Sequence, residues 1–192
     1  MKKHLSMLAS ALIAAGTFSA PAFAAEHYVS GNLGISWMNE INATVGPNLV
    51  TNSGFTALAA LGCDYGSSRI EAEAGYQNND LKENGAAKLM SLLGNGYYSF
   101  DVGSGIKPYL TAGVGVVQVK FSDVTFGNSR NFTENETALA YQVGAGVEIP
   151  IARKLMLDAR YRYFSTAQFT TAIAGNESIG SNNVLLGLRM NF

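Results

Sequence analysis

A 192-residue chain with 47% apolar but only 14% charged residues is sparsely charged beside soluble proteins, where about 25% is usual. Thirteen Lys and Arg face fourteen Asp and Glu, a net charge of −1, which offers no electrostatic footprint for nucleic acid. Cys63 is the single cysteine, so an intramolecular disulfide is excluded and the fold must stand without covalent staples.

The first element is a targeting segment. Lys2 and Lys3 form a basic start, an apolar run follows through Phe18, and Ala22-Phe23-Ala24 makes a small-x-small cleavage signature. Residues 1–24 read as a signal peptide cut before Ala25, which leaves residues 25–192 as one domain without linker or low-complexity tract. The competing reading is an uncleaved anchor. Against it, the run is interrupted by Ser6, Ser10, Gly16 and Thr17 and is shorter than the ~20 residues a helical span needs. Ala25 stands where a lipoprotein would carry Cys. No later stretch is apolar enough for a spanning helix. An exported, weakly charged chain can then enter a membrane only as a closed sheet.

Period-two alternation supports that sheet over eight segments. Tyr28–Met38 sets Val29, Leu33, Ile35 and Trp37 against Ser30, Asn32 and Ser36. Gly54–Tyr65 places Phe55, Ala57, Ala59, Leu61, Cys63 and Tyr65 on one face. Arg69–Gln77 opposes Ile70, Ala72, Ala74 and Tyr76 to Arg69, Glu71, Glu73, Gly75 and Gln77. Leu89–Phe100, Tyr109–Phe121, Thr137–Ile149 and Leu155–Phe164 continue the scheme, and Val184–Phe192 ends it with alternating Val184, Leu186, Leu188, Met190 and Phe192. Each segment has about the 10 residues that a strand tilted ~40° needs to cross an apolar band ~25 Å tall.

The connections alternate as well. Long polar pieces at 39–53, 78–88, 122–136 and 165–182 separate short ones at 66–68, 102–108 and 150–154. Four long loops on one side and three turns on the other are the asymmetry of an outer-membrane barrel. The predicted fold is therefore all-β: an eight-stranded antiparallel up-and-down transmembrane barrel in the outer membrane of a Gram-negative bacterium, with both termini periplasmic.

The two faces divide the chemistry. Asp64, Arg69, Glu71, Glu73, Glu148, Asp158, Arg160, Arg162 and Arg189 fall on the polar rows. That is five acids against four bases, the near-balance a narrow interior demands. Gly62, Gly75, Gly113, Gly115, Gly144, Gly146 and Gly187 share those rows and are expected to make room for the long Arg and Glu chains. The lumen reads as plugged, not as a wide pore. A secreted lipocalin-like carrier would show the same alternation with its faces exchanged. Aromatics at both edges of the apolar rows (Trp37, Tyr65, Tyr76, Tyr98, Phe100, Tyr141, Tyr161, Tyr163, Phe192) oppose it, because they suit interfacial girdles.

The terminal VLLGLRMNF resembles the C-terminal recognition strand of bacterial outer-membrane proteins, which the barrel-assembly machinery reads through the last aromatic, here Phe192. KPYLTAGVGVVQV (107–119), YQVGAGVEI (141–149) and LMLDARYRYF (155–164) resemble the small OmpA/OmpX-like, Opacity-type surface-antigen barrels. In that family a Pro-Tyr-x-x-x-Gly-x-Gly strand and a Leu-Asp-x-x-Tyr-Arg-Tyr strand recur. The likeness covers the mature chain in architecture, and its motifs concentrate after residue 107. It implies a monomeric barrel with variable surface loops and no single function.

Catalytic chemistry finds no candidates. The lipid A deacylases, palmitoyltransferases and barrel proteases of outer membranes resemble one another in needing a His at the outer rim as general base. Apart from His4 in the signal segment, this chain has only His27, placed at the opposite rim. Asp64, Glu71 and Glu73 share their rows with bases and read as a structural ion network. Gly113-Val-Gly115 and Gly144-Ala-Gly146 lie inside strands and open no helix, so they fail as phosphate loops. Cys63 reads as a small hydrophobe on the lipid side near the inner rim. No metal-ligand spacing and no cofactor motif occur. The reading is a non-enzymatic surface antigen that stabilises the membrane or contacts host or other cells through four loops. The alternatives are a small porin-like channel for ions or small solutes and the lipocalin-like carrier.

Overall fold

The computed structural model describes residues 25–39, 52–80, 86–103, 105–125, 131–167, 169–171 and 175–192. The proposed signal segment and the tips of the long connections lie outside them. Strands β1 (Glu26–Met38), β2 (Gly54–Asp64), β3 (Ser68–Asp80), β4 (Ala86–Ser99), β5 (Lys107–Thr125), β6 (Asn131–Ala152) and β7 (Leu155–Thr166) follow in order. A small hairpin of β8 (Phe169–Thr171) and β9 (Gly175–Glu177) precedes the last strand, β10 (Gly180–Asn191).

Each strand pairs antiparallel with its chain neighbour, and β1 closes the sheet on β10 to give an eight-stranded barrel. The closing seam runs from Tyr28 opposite Asn191 to Met38 opposite Ser181, so the alternating C-terminal strand is a stave of the barrel and not a frayed end. Closure leaves no unpaired edge among the staves, which is what a backbone in lipid requires. With an even number of staves, both ends of the described chain lie at the short-turn rim. One of those turns is set by Gly66, whose φ of 93° favours a residue without Cβ.

Two of the expected long loops are largely strand. β3 runs to Asp80 before β4 starts at Ala86, and β5 runs to Thr125 before β6 starts at Asn131, with a register shift between Phe121 and Val124. At the β3–β4 end the inner face stays closed, with Asn79 and Ala87 fully buried. The backbone N–H and C=O groups still need partners, so the pairing continues.

The faces fall as the alternation requires. Leu139 and Val114 are 67% and 70% exposed on the outside, while Glu73 and Arg160 inside are 1% and 5% exposed. Trp37, Phe55, Tyr76 and Tyr141 are exposed toward the loop side. Tyr98, Phe100 and Phe192 are exposed toward the short-turn side, with Tyr98 and Phe100 stacked edge to face at 5.2 Å. An outward apolar belt with buried charges is the inverse of a lipocalin, and that alternative is overturned.

The interior is less uniformly polar than the rows of charge suggest. Above the charges, toward the loops, the wall of β4 to β7 is lined by Leu89, Leu93, Val117, Val119, Ala138, Ala140 and Phe164, all buried, with Ile179 against them. Adjacent apolar pairs such as Leu92-Leu93 and Val116-Val117 hide this inner row in the sequence, because both faces are apolar there. Replacing Leu186 by Arg places a charge in lipid near the band centre. It should lower stability by about 2–4 kcal/mol in urea titrations of the vesicle-folded protein.

Candidate functional site

The site with the most chemistry is the ion cluster in the short-turn half of the lumen. It starts at the rim, where Arg189 on β10 donates to Asp64 at 2.7 Å and to Glu148 at 3.1 Å. Glu148 on β6 also accepts from Arg69 on β3. Deeper, Arg160 on β7 bridges Glu73 and Asp158, each at 3.2 Å, and Arg162 donates to Glu73 at 2.8 Å. All nine charged residues expected on the polar rows point inward, and eight of them join in these contacts. The ninth, Glu71, is distinct.

Among the described residues, Glu71 has no cationic partner. It accepts from the hydroxyls of Tyr97 at 2.6 Å, Tyr28 at 3.0 Å and Ser30 at 3.3 Å, and from the Asn95 amide at 3.3 Å. Four neutral donors thus hold a carboxylate that is 7% exposed, in keeping with the rule that a buried charge needs hydrogen bonds when it lacks a counter-ion. The same tyrosines serve the arginines with their ring faces. The Arg69 guanidinium carbon lies 4.7 Å from the Tyr97 ring centre and 5.2 Å from that of Tyr109, and Arg189 lies 5.0 Å from that of Tyr28. Such cation–π contacts contribute most where water is excluded.

The glycines play a different part from the one expected. A Cβ on Gly62 would strike the Tyr28 ring, on Gly146 the Tyr109 hydroxyl, on Gly113 the Asn95 amide and on Gly187 the Asn32 amide. The space they leave is filled by Tyr and Asn, not by Arg and Glu. Those residues then bond the acids: Asn32 donates to Asp158 at 2.6 Å, Tyr109 donates to Asp158, and Asn95 donates to Glu73 at 3.2 Å. Reasoning on charge alone missed Tyr28, Tyr97 and Tyr109 as cluster members. The signal was available in their position on the polar rows: Tyr28 keeps step with Ser30 and Asn32, Tyr97 with Asn95 and Ser99, and Tyr109 with Thr111.

On the loop side, Ser36, Thr56, Gln77, Asn79, Ser181 and Asn183 form a buried amide and hydroxyl network opposite the apolar wall. Its bonds include Thr56 to Asn183 at 2.9 Å and Gln77 to Asn79 at 2.8 Å. Between the two layers lies a cavity of water size lined by Gln77, Leu89, Ser91, Arg162 and Phe164. The lumen-facing side chains of the described staves are almost all buried. His27 is exposed at the short-turn rim with its Nδ1 3.4 Å from the Cys63 sulfur, far from the loops. Among the described residues no group of His, Cys, Asp and Glu could hold a metal. Three aromatics that the sequence places in the long connections, Phe126, Phe132 and Phe169, fall outside the side chains the structure describes.

Replacing Arg160 by Leu strands Glu73 and Asp158 with fewer donors. A loss of about 3–5 kcal/mol in urea unfolding is expected, the usual cost of breaking a buried pair from one side. Glu71→Gln removes no ion pair, so it should cost clearly less than Glu73→Gln, which leaves two guanidiniums short of a partner. Equal losses for the two Gln variants would show that the assignment of partners is wrong.

Comparison with known proteins agrees with this architecture. A family model for the outer membrane protein beta-barrel domain matches residues 10–192. The outer membrane protein PagN of Salmonella typhimurium is 27% identical over 120 residues, covering 55% of this chain and 50% of that protein. A 22 kDa outer membrane protein of Rhizobium leguminosarum is 30% identical over 130 residues, covering 64% of this chain and 57% of that one. The matched stretch therefore spans about half the length of these curated relatives. Among solved structures, Neisserial surface protein A aligns with a TM-score of 0.63 at 21% identity, over 86% of this chain and 97% of that one. The solid-state NMR structure of AlkL aligns at 0.55 and 18% identity, over 91% and 93%. With a matching family model over nearly its whole length and a closed barrel that is apolar outside and ionic within, the chain belongs to the outer-membrane protein β-barrel family and resides in the outer membrane of a Gram-negative bacterium.

Proposed function

We propose that this protein is a non-enzymatic surface antigen whose barrel is a sealed anchor and whose long connections, facing outward, stabilise the membrane or touch other cells. The observation that carries the reading is the packed lumen. The Arg–Glu–Tyr cluster fills one half, and the apolar wall with its amide network fills the other. A barrel of eight strands has an interior just wide enough for its own side chains, so function moves to the loops that a rigid scaffold positions. The location of His27 away from those loops supports the non-enzymatic reading. On this proposal residues 1–24 direct export and leave before Ala25, Phe192 engages the assembly machinery, and the folded protein is a monomer with periplasmic termini.

The purified barrel in a planar bilayer should show no stepwise conductance. Steady ion-selective steps would favour the channel alternative and overturn the sealed anchor. Protease added to intact cells should cut the connections at 40–51 or 126–130, while the staves stay protected and migrate faster on gels before heating than after. Cleavage in the short turns instead would reverse the orientation.

A further inference from the structure

A pair of lysines on the lipid-facing side is used by nothing described so far. Lys88 on β4 and Lys120 on β5 stand directly opposite each other in the strand register. Their chain neighbours Leu89 and Val119 are buried in the lumen at 2% and 0% exposure, so the period of two turns both lysines outward. Like charges placed directly opposite destabilise a strand pair. Among the described residues neither lysine forms an ion pair. Asp80 pairs with Ala86, a diagonal step from Lys88, and Glu136 keeps step with the buried Ala138 and Ala140 on the inner row.

Their height is specific. Below Lys88 the outward row of β4 is Met90, Leu92, Gly94, Gly96 and Tyr98, and below Lys120 that of β5 descends through Gln118, Val116, Val114 and Ala112 to Leu110. A rise of about 10 residues at ~3.4 Å each, tilted ~40°, spans roughly 26 Å, the height of the apolar band. With Tyr98 at the short-turn interface, the lysines stand where hydrocarbon gives way to headgroups on the loop side. Asn78 and Asn135 flank them in register, so four polar side chains lie abreast.

We propose that Lys88 and Lys120, flanked by Asn78 and Asn135, form a site for the phosphate of an anionic lipid in the outer leaflet. A phosphomonoester carries about −1.5 to −2 charges near neutral pH, which matches two adjacent ammonium groups and removes their mutual repulsion. The leaflet, though not the chemistry, rests on the loop side facing out, as proposed above.

The test folds the full chain into vesicles of phosphatidylcholine alone or doped with lipid A, a phosphorylated glycolipid, and follows thermal unfolding by the gel shift. Lipid A should raise the unfolding temperature of the native protein and of Lys88→Arg/Lys120→Arg. It should leave Lys88→Gln/Lys120→Gln nearly unmoved. In phosphatidylcholine alone the Gln pair should be at least as stable as the native protein, because it no longer carries the repulsion. Lys107→Gln/Lys154→Gln, at the other rim, should respond to lipid A like the native protein. An equal rise in the Lys88/Lys120 Gln variant, or a rise that free inorganic phosphate reproduces without lipid A, overturns the site. Because lipid A sits in both leaflets of these vesicles, a wrong orientation would show only in the cell proteolysis and would leave this result intact.

Discussion

Five carboxylates and four guanidiniums share one narrow lumen, and the rest of the structure is arranged around keeping each of them bonded. In the membrane the alternative place for these groups is lipid, where a Lys or Arg at mid-depth costs about 2–4 kcal/mol. The side-chain period of a strand is two, so a slip of one residue in any charged stave would carry its whole set outward. The cluster therefore acts first as a register lock. Ion pairs within it roughly offset their own desolvation, so the fold draws its stability chiefly from closed backbone pairing and a lipid-matched exterior. The charges decide which closure is allowed.

Satisfying the cluster recruited residues that carry no charge. Tyr28 and Tyr97 give their hydroxyls to Glu71 and their ring faces to Arg69. The rings fit because Gly62 and Gly146 open the facing staves beside Tyr28 and Tyr109. Small residues opposite large ones let a side-chain layer close without voids. The loop half of the lumen follows another rule. Its amides and hydroxyls satisfy one another along β1, β2, β3 and β10, while the wall of β4 to β7 packs apolar groups against Ile179 from the last connection. Ile179, at the end of the connection after β7, is thus held by the core it packs against.

On the proposed reading, two surfaces are left for recognition: the loops that extend from the barrel and the band where its outer wall meets headgroups. The proposals made for these surfaces depend on different residues, so either can stand without the other. The paired lysines belong to the second surface and use the same currency as the lumen, a charge that must find its complement. Inside, the complement is built into the chain, and outside, the membrane has to supply it.

Much of this was legible in the sequence. Alternation of apolar and polar residues, strand length and the rhythm of connections determined an eight-stranded barrel, its lipid-facing rows and the inward set Asp64, Arg69, Glu71, Glu73, Glu148, Asp158, Arg160, Arg162 and Arg189, because period two is a local property of the chain. Which acid meets which base was decided only by the tertiary structure. Arg69 and Glu148 lie on different staves far apart in sequence, and their meeting depends on closure and register. The isolation of Glu71 from cations, the filling of glycine gaps by tyrosines, the apolar inner wall and the abreast placement of Lys88 and Lys120 likewise arise from how neighbouring strands are aligned. The sequence of a single strand shows which way a side chain turns, but what it meets there is fixed by the strand beside it and by those across the lumen.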